Sequence, residues 1–227
     1  MRRSSPTPPL PLAPPPPKYS LGEEIAHSVT HGLGILASIA GLAVLVAAAS
    51  QRGTTRDVVG CAVYGATLVL LYTASTLYHS IPLPNVRPLL RVLDHSSIFL
   101  LIAGTYTPIA LAKLSPPVGG TLLAILWVAA IAGIVLTAIL RHRFRAIAHA
   151  LYLLMGWSAV FVAGPLRAAI GPAGWTLIVA GGLAYTFGVG FYAMRRLRYH
   201  HLLWHLCVLA GSVLHYFAVL LYVLPPA

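Results

Sequence analysis

The stretch LLWHLCVLAGSVLHYFAVLLYVL, residues 202–224, decides the fold class of this chain. It contains no Asp, Glu, Lys or Arg, and as a helix rising about 1.5 Å per residue it would cross the roughly 30 Å hydrocarbon core of a bilayer. Globular domains carry about 25% charged residues, whereas the whole chain has 8% and a mean hydropathy of +0.83. The sequence therefore predicts an all-α protein embedded in a membrane.

Further apolar segments precede this one, and each is long enough to span a bilayer as a helix. Together they cover residues 25–49, 58–81, 92–114, 118–140, 146–165, 174–194 and 202–224. We therefore predict seven transmembrane helices in one membrane domain, residues 19–227. Residues 1–18 are rich in proline, a composition that favours extended or disordered chain, and they are predicted to form a disordered N-terminal tail.

The distribution of Lys and Arg predicts the orientation. Eleven of these residues lie in the tail and in the second, fourth and sixth loops, and four lie on the opposite side. Because cytoplasmic loops carry the excess of Lys and Arg, the N-terminus is predicted to be cytoplasmic and the C-terminus to lie outside. The net charge of +11 is thus expected to reflect topology and contact with anionic lipid rather than nucleic-acid binding.

Several histidines are predicted to lie at the same depth in the membrane, near its cytoplasmic side. His201 and His205 are four residues apart and share one face of the last helix. His79, at the end of the second helix, and Asp94, at the start of the third, lie at the same cytoplasmic depth. Three neutral imidazoles with an open fourth position are typical of catalytic zinc sites. We therefore predict a zinc ion bound by His79, His201 and His205.

Two polar residues have predicted roles beside this zinc. Bound zinc lowers the pKa of its water towards about 7, and Asp94 is placed to orient that water or to act as general base. Ser75 lies one turn before His79 on the same helix face, where it would hydrogen-bond a neighbouring group or the polarised substrate oxygen. The alternative for Asp94 is an ion pair with Arg91 or Arg87 at the membrane surface.

Several other residues have alternative roles. His95 is either a fourth ligand or a hydrogen-bonding partner within its helix. Glu24 and His31 either support the site from the first helix or pack there. His215 lies deeper, as a polar contact between helices or as a proton relay. His200 points about 100° away from its neighbour in a helix and is not expected to bind metal.

These residues also reproduce the pattern of a known family. The matching elements are Glu24 with THG at 30–32, STLYH at 75–79, DHSSIFLLIAGTYTP at 94–108, HLLWH at 201–205 and HY at 215–216. With them, the chain resembles the hemolysin III family, the bacterial branch of the progestin and adiponectin receptor superfamily. The resemblance covers nearly all of the chain after the tail. It implies seven helices, a cytoplasmic N-terminus, zinc held by His79, His201 and His205, and Asp94 in contact with zinc through water.

The wider superfamily also resembles alkaline ceramidases, which implies cleavage of a lipid amide or ester. The leading hypothesis is therefore a zinc-dependent lipid hydrolase in the plasma membrane, here a bacterial inner membrane, with its substrate entering from the cytoplasmic leaflet. A second hypothesis is a receptor or membrane-stress regulator in which zinc is structural. A third is a pore-forming hemolysin-like protein, which the sequence disfavours because its polar groups concentrate on one side.

Overall fold

A computed structural model describes residues 19–140 and 143–226, without the side chain of Arg145. The predicted tail, residues 1–18, lies outside the described residues. The rest is helical and contains no strand within the described ranges. The helices are α1 (Leu21–Arg52), α2 (Thr55–Ser80), α3 (Arg87–Lys113), α4 (Pro116–Leu140), α5 (Arg145–Gly156), a 3₁₀ helix (Trp157–Val162), α6 (Ala163–Ala193), α7 (His200–Ala218) and a π turn (Val219–Val223).

Helix α1 begins four residues before the predicted position because its first turn is capped. The backbone N–H of Glu23 donates to the Ser20 hydroxyl at 3.3 Å, and the Ser20 N–H donates back to the Glu23 carboxylate at 3.0 Å. Glu23 and Glu24 lie in the first turn, where negative charge interacts favourably with the positive end of the helix dipole and stabilises the helix. The apolar pattern alone starts after these two charges, so it misses the turn that carries Glu24.

The described residues contain six helical stretches that are long and apolar enough to cross a membrane. Large apolar side chains cover their outer surfaces, for example Leu33 at 62%, Ile125 at 61% and Val128 at 68% exposure. Such surfaces are costly in water but favourable against lipid tails. The fold is therefore that of a multi-span helical membrane protein.

The count of six differs from the predicted seven because the fifth and sixth predicted segments lie in one helical stretch, Ala146–Ala193. The backbone of this stretch is interrupted at Gly171, which has φ 71° and ψ 175°. Only glycine adopts this conformation readily. Pro172, which follows, also disfavours helical geometry at the preceding residue.

The two arms of this stretch lie side by side. The rings of His149 and Tyr192 stack with their centres 4.8 Å apart. Nearer to Gly171, the indole N–H of Trp157 donates to the Thr186 hydroxyl at 3.1 Å. In each pair, one residue precedes Gly171 and the other follows it by nearly the same number of residues. The chain therefore reverses direction at Gly171.

Helix α2 packs between α1 and α3, and α7 packs against α1 and α6. The first two helices approach closely at Gly34, where a Cβ atom would lie 2.6 Å from the Tyr72 ring. Deeper in the bundle, the Ser212 hydroxyl lies 2.8 Å from the Tyr72 hydroxyl and 2.9 Å from that of Tyr185, which links α2, α6 and α7. This packing brings the end of α2 beside the starts of α1 and α7.

Candidate metal centre

The three predicted metal ligands lie together at that end of the bundle. His79 comes from the last turn of α2, and His201 and His205 from the first turns of α7. The Nε2 atom of His201 lies 3.2 Å from Nε2 of His79 and 3.2 Å from Nε2 of His205. All three side chains are buried, with exposures of 4%, 6% and 1% in chain order.

These nitrogens have the spacing of ligands around one ion. Zinc binds imidazole nitrogen at about 2.0–2.1 Å, so two ligands in tetrahedral geometry lie roughly 3.4 Å apart. The two separations of 3.2 Å require only a small adjustment, and the nitrogens of His79 and His205 lie within 4.8 Å of each other. The three imidazoles therefore fit a zinc ion or a similar borderline metal.

Protonation also favours a cation between these rings. His79 Nδ1 lies 2.6 Å from the Glu24 carboxylate, so this nitrogen carries the proton and Nε2 of a neutral ring has a free lone pair. A neutral His201 can direct one Nε2–H at His79 but then offers no lone pair to His205. Neutral rings thus satisfy only one of the two 3.2 Å contacts fully, whereas a metal ion satisfies three unprotonated nitrogens at once.

Glu24 contacts three polar side chains around the site. Its carboxylate accepts from His79, pairs with the Arg87 guanidinium and lies 3.7 Å from Nδ1 of His27. A carboxylate at the outer nitrogen of a ligand histidine fixes the tautomer and ring orientation. The position of Glu24 therefore favours the supporting role over simple helix packing.

Aromatic rings enclose the three histidines. The His31 ring stacks on His205 with centres 3.6 Å apart and an interplanar angle of 7°. The Tyr19 ring stacks on His201 at 5.1 Å and 17°. Burial raises the pKa of the Tyr19 phenol, which keeps it neutral. Two of the three histidines are thus packed against the face of another ring.

Asp94 and Ser75 lie on one side of this group, around a cavity of about 30 Å³ that is also lined by His31, His201 and His205. A water molecule needs about 10–15 Å³ of such space, so the cavity has room for about two. The Ser75 hydroxyl is buried and has no hydrogen-bond partner among the described residues. An unsatisfied buried hydroxyl is consistent with a site for a water or a ligand.

The structure separates the alternatives for several neighbours. Asp94 lies 3.3 Å from Nδ1 of His95, whereas Arg87 pairs with Glu24. His95 thus lies beside Asp94 at ion-pair distance without hydrogen-bond geometry, and it lines the same cavity. His215 donates from Nε2 to the Ile178 carbonyl at 3.0 Å, which confirms a polar contact between helices.

Sequence reasoning assigns no role to His27 or Tyr19, and it considers Arg87 only as a partner of Asp94. His27 is fully buried, and its ring centre lies 4.6 Å from that of His79. The signal was present, because His27 lies three residues after Glu24 and four before His31 on one helix face. No such periodicity marks Tyr19, which precedes α1.

Comparison with known proteins decides the family. The model of the family described as haemolysin-III related matches residues 19–216. The chain belongs to the hemolysin III family. It is 46% identical to Hemolysin-3 of Bacillus cereus over 205 residues, which are 90% of this chain and 94% of that protein. It is 41% identical to the Hemolysin-3 homolog of Bacillus subtilis over 204 residues, 90% of this chain and 96% of the relative.

A more distant relative extends the similarity to animals. The human monocyte to macrophage differentiation factor is 25% identical over 203 residues, 87% of this chain and 83% of that protein. This similarity fits the predicted superfamily. As a multi-span hemolysin III protein of bacterial type, the chain resides in the plasma membrane.

Proposed function

We propose that this hemolysin III protein is a zinc-dependent hydrolase of a lipid amide or ester bond. The observation that carries the proposal is the arrangement of three imidazole nitrogens at ligand spacing beside the cavity of Asp94 and Ser75. A metal site, a carboxylate and a hydroxyl around space for water are the parts that hydrolysis requires.

Each of these residues has a defined task in the proposal. His79, His201 and His205 would hold the ion, which when bound would supply a water of lowered pKa. Asp94 would accept a proton from the attacking water as general base and return it to the leaving amine or alkoxide as the C–N or C–O bond breaks. The Ser75 hydroxyl donates to the carbonyl oxygen on which negative charge develops.

The cavities beyond this site support a lipid substrate. An apolar cavity of about 80 Å³ shares Leu71, Ile98, Trp204 and Val208 with the cavity of Asp94. It continues along α6 and α7 to His215. A polar end for the scissile bond followed by an apolar channel matches a head group followed by an acyl chain.

We expect the acyl chain to occupy this channel, and Gly182→Leu tests that expectation. A Cβ atom at Gly182, which lines the cavity, would meet the Trp157 ring at 3.7 Å, so a leucine there extends into the channel. Turnover of long-chain amide or ester lipids should fall about tenfold or more relative to short-chain ones, because one or two buried methylenes are worth about 1–3 kcal/mol. Zinc content should not change.

The matched control is Gly190→Leu on the same helix, where an added Cβ meets no other atom within 4 Å. Chain-length profiles that are identical in the two variants would contradict the channel.

The proposal includes seven transmembrane helices with a cytoplasmic N-terminus. The reversal at Gly171 and the excess of Lys and Arg in alternate loops support it. In a background without Cys61 and Cys207, Arg167→Cys should react with an impermeant thiol reagent in intact cells and Asn85→Cys should react only after lysis. Labelling of both positions from the same side would contradict this topology.

A structural zinc in a receptor or stress regulator is the second candidate. The observation that favours it is the burial of all three ligand rings, because structural zinc sites are closed. The two candidates differ in what Asp94 does, so an Asp94→Asn variant distinguishes them.

A further inference from the structure

His31, on α1, is a buried histidine whose ring nitrogens lack partners. Its side chain is 3% exposed, and neither Nδ1 nor Nε2 has a hydrogen-bond partner among the described residues. A neutral imidazole carries one N–H donor and one acceptor nitrogen, and leaving such a group unsatisfied in the interior costs about 1–3 kcal/mol. A water or a ligand usually completes a buried group of this kind, so His31 is expected to bond to a molecule that enters the protein.

The cavity of Asp94 and Ser75 is where such a molecule can reach His31, because His31 lines it. The Ser75 hydroxyl, which lines the same cavity, is also buried without a partner among the described residues. Two unsatisfied donors from different helices, α1 and α2, therefore meet around one space of about 30 Å³. Two donors around one small space are suited to bind a single oxygen atom.

Packing holds the His31 ring in place beside the metal centre. The ring stacks on His205 with centres 3.6 Å apart, and the Tyr72 ring meets it edge-on at 5.1 Å. Tyr72 can approach α1 this closely because Gly34 lacks a side chain; a Cβ atom there would lie 2.6 Å from the Tyr72 ring. These contacts restrict the orientation of the imidazole before a substrate binds, as a preorganised donor requires.

We infer that His31 is a second hydrogen-bond donor, beside Ser75, to the carbonyl oxygen of the scissile lipid amide or ester. The inference rests on the hydrolase function proposed above and adds a catalytic residue from α1. Negative charge grows on this oxygen in the transition state of acyl transfer, and donors already aimed at it stabilise that charge. The stack on His205 places the donor next to the predicted metal ligands.

His31 keeps its proton throughout the proposed reaction. As a water adds to the carbonyl carbon, Asp94 takes a proton from this water and the π electron pair of the C=O bond moves onto the oxygen. His31 and Ser75 donate hydrogen bonds to that oxygen. When the pair returns to re-form the carbonyl, the C–N or C–O bond breaks with its electrons on the leaving group, which takes the proton from Asp94.

Hydrolysis of p-nitrophenyl palmitate by the purified, detergent-solubilised full chain tests the inference. In His31→Phe an aromatic ring can still stack on His205 but has no N–H, so kcat should fall about 10²–10³-fold, the typical loss for one such donor. KM and zinc content should stay near the wild-type values. His31→Gln supplies an N–H donor again and should recover most of the lost rate. A packing role alone would give the opposite order, because phenylalanine keeps the ring and glutamine does not.

The control is His200→Phe. His200 is another buried histidine beside a predicted ligand, with its ring centre 6.2 Å from that of His201, and it does not line the cavity. This variant should keep the wild-type kcat. Equal kcat in His31→Phe and the wild type would overturn the role of His31 and leave the hydrolase standing. A wild type without metal-dependent turnover would overturn the hydrolase itself, and the role of His31 with it.

A structure of the wild type with bound hexadecylphosphonate tests the same contact without a substitution. The tetrahedral, anionic head group of this probe resembles the intermediate of hydrolysis. One of its oxygens should lie within about 3.2 Å of a ring nitrogen of His31 and of the Ser75 hydroxyl. A head group bound at the metal centre with no oxygen in contact with His31 would overturn the inference.

Discussion

The variant His205→Ala should lose its zinc during purification, whereas the wild type should contain about one zinc per chain. His205 is the most buried of the predicted ligands, at 1% exposure, and its Nε2 contacts His201. Structural zinc binding is worth about 10–16 kcal/mol, so one ligand of three contributes about 3–5 kcal/mol, which is at least about a hundredfold in affinity. Elemental analysis and chelator competition measure this loss.

Thermal unfolding gives an independent readout of the same change. An ion that binds only the folded chain raises Tm, so a chelator should lower the Tm of the wild type. The Tm of His205→Ala should not respond to the chelator. The control is His215→Ala, which removes a buried histidine on the same helix that bonds to the Ile178 carbonyl and should leave both zinc content and the chelator response unchanged.

Full retention of zinc in a triple alanine variant of His79, His201 and His205 would exclude the site. Lysis or conductance by reconstituted protein that persists in the same variant would instead favour a pore.

Much of this centre could be predicted because its parts follow helical periodicity and chain direction. The spacing of His201 and His205 places both rings on one face of α7, and the alternation of loops brings His79 to the same depth. In the structure, one nitrogen of each of these three rings lies within 4.8 Å of the other two. Metal binding itself stays a prediction until the zinc is measured.

What could not be predicted depends on tertiary contacts. The apolar pattern separates two segments around Gly171, but it does not show that the helical structure runs from Ala146 to Ala193 with one interruption. The stacking of His31 on His205 depends on how α1 packs against α7, which no local pattern encodes. The partner of Arg87 depends on the packing of α1 beside the start of α3, since Glu24 comes from α1.

Replacing Asp94 with asparagine should abolish turnover while leaving zinc in place. Asparagine keeps the size of the side chain and leaves His95, whose Nδ1 lies 3.3 Å from the Asp94 carboxylate, with a polar neighbour, but it cannot take a proton from water at neutral pH. General-base catalysis typically contributes about 10²–10⁴-fold, so hydrolysis of a lipid amide or ester should fall by about that factor. Zinc content and Tm should stay near the wild-type values because Asp94 is not one of the ligands.

The same variant separates the two candidate functions. If zinc is structural, Asp94→Asn should leave both the fold and any signalling output intact, and no metal-dependent turnover should be found in the wild type. Asp57→Asn makes the same chemical change at the start of α2, where Asp57 accepts from the Thr54 N–H at 2.7 Å; it should lower stability slightly and leave turnover unchanged. In Asp94→Asn the cavity lacks the proposed proton acceptor. A metal-dependent hydrolysis rate equal to that of the wild type would therefore show that Asp94 is not the general base.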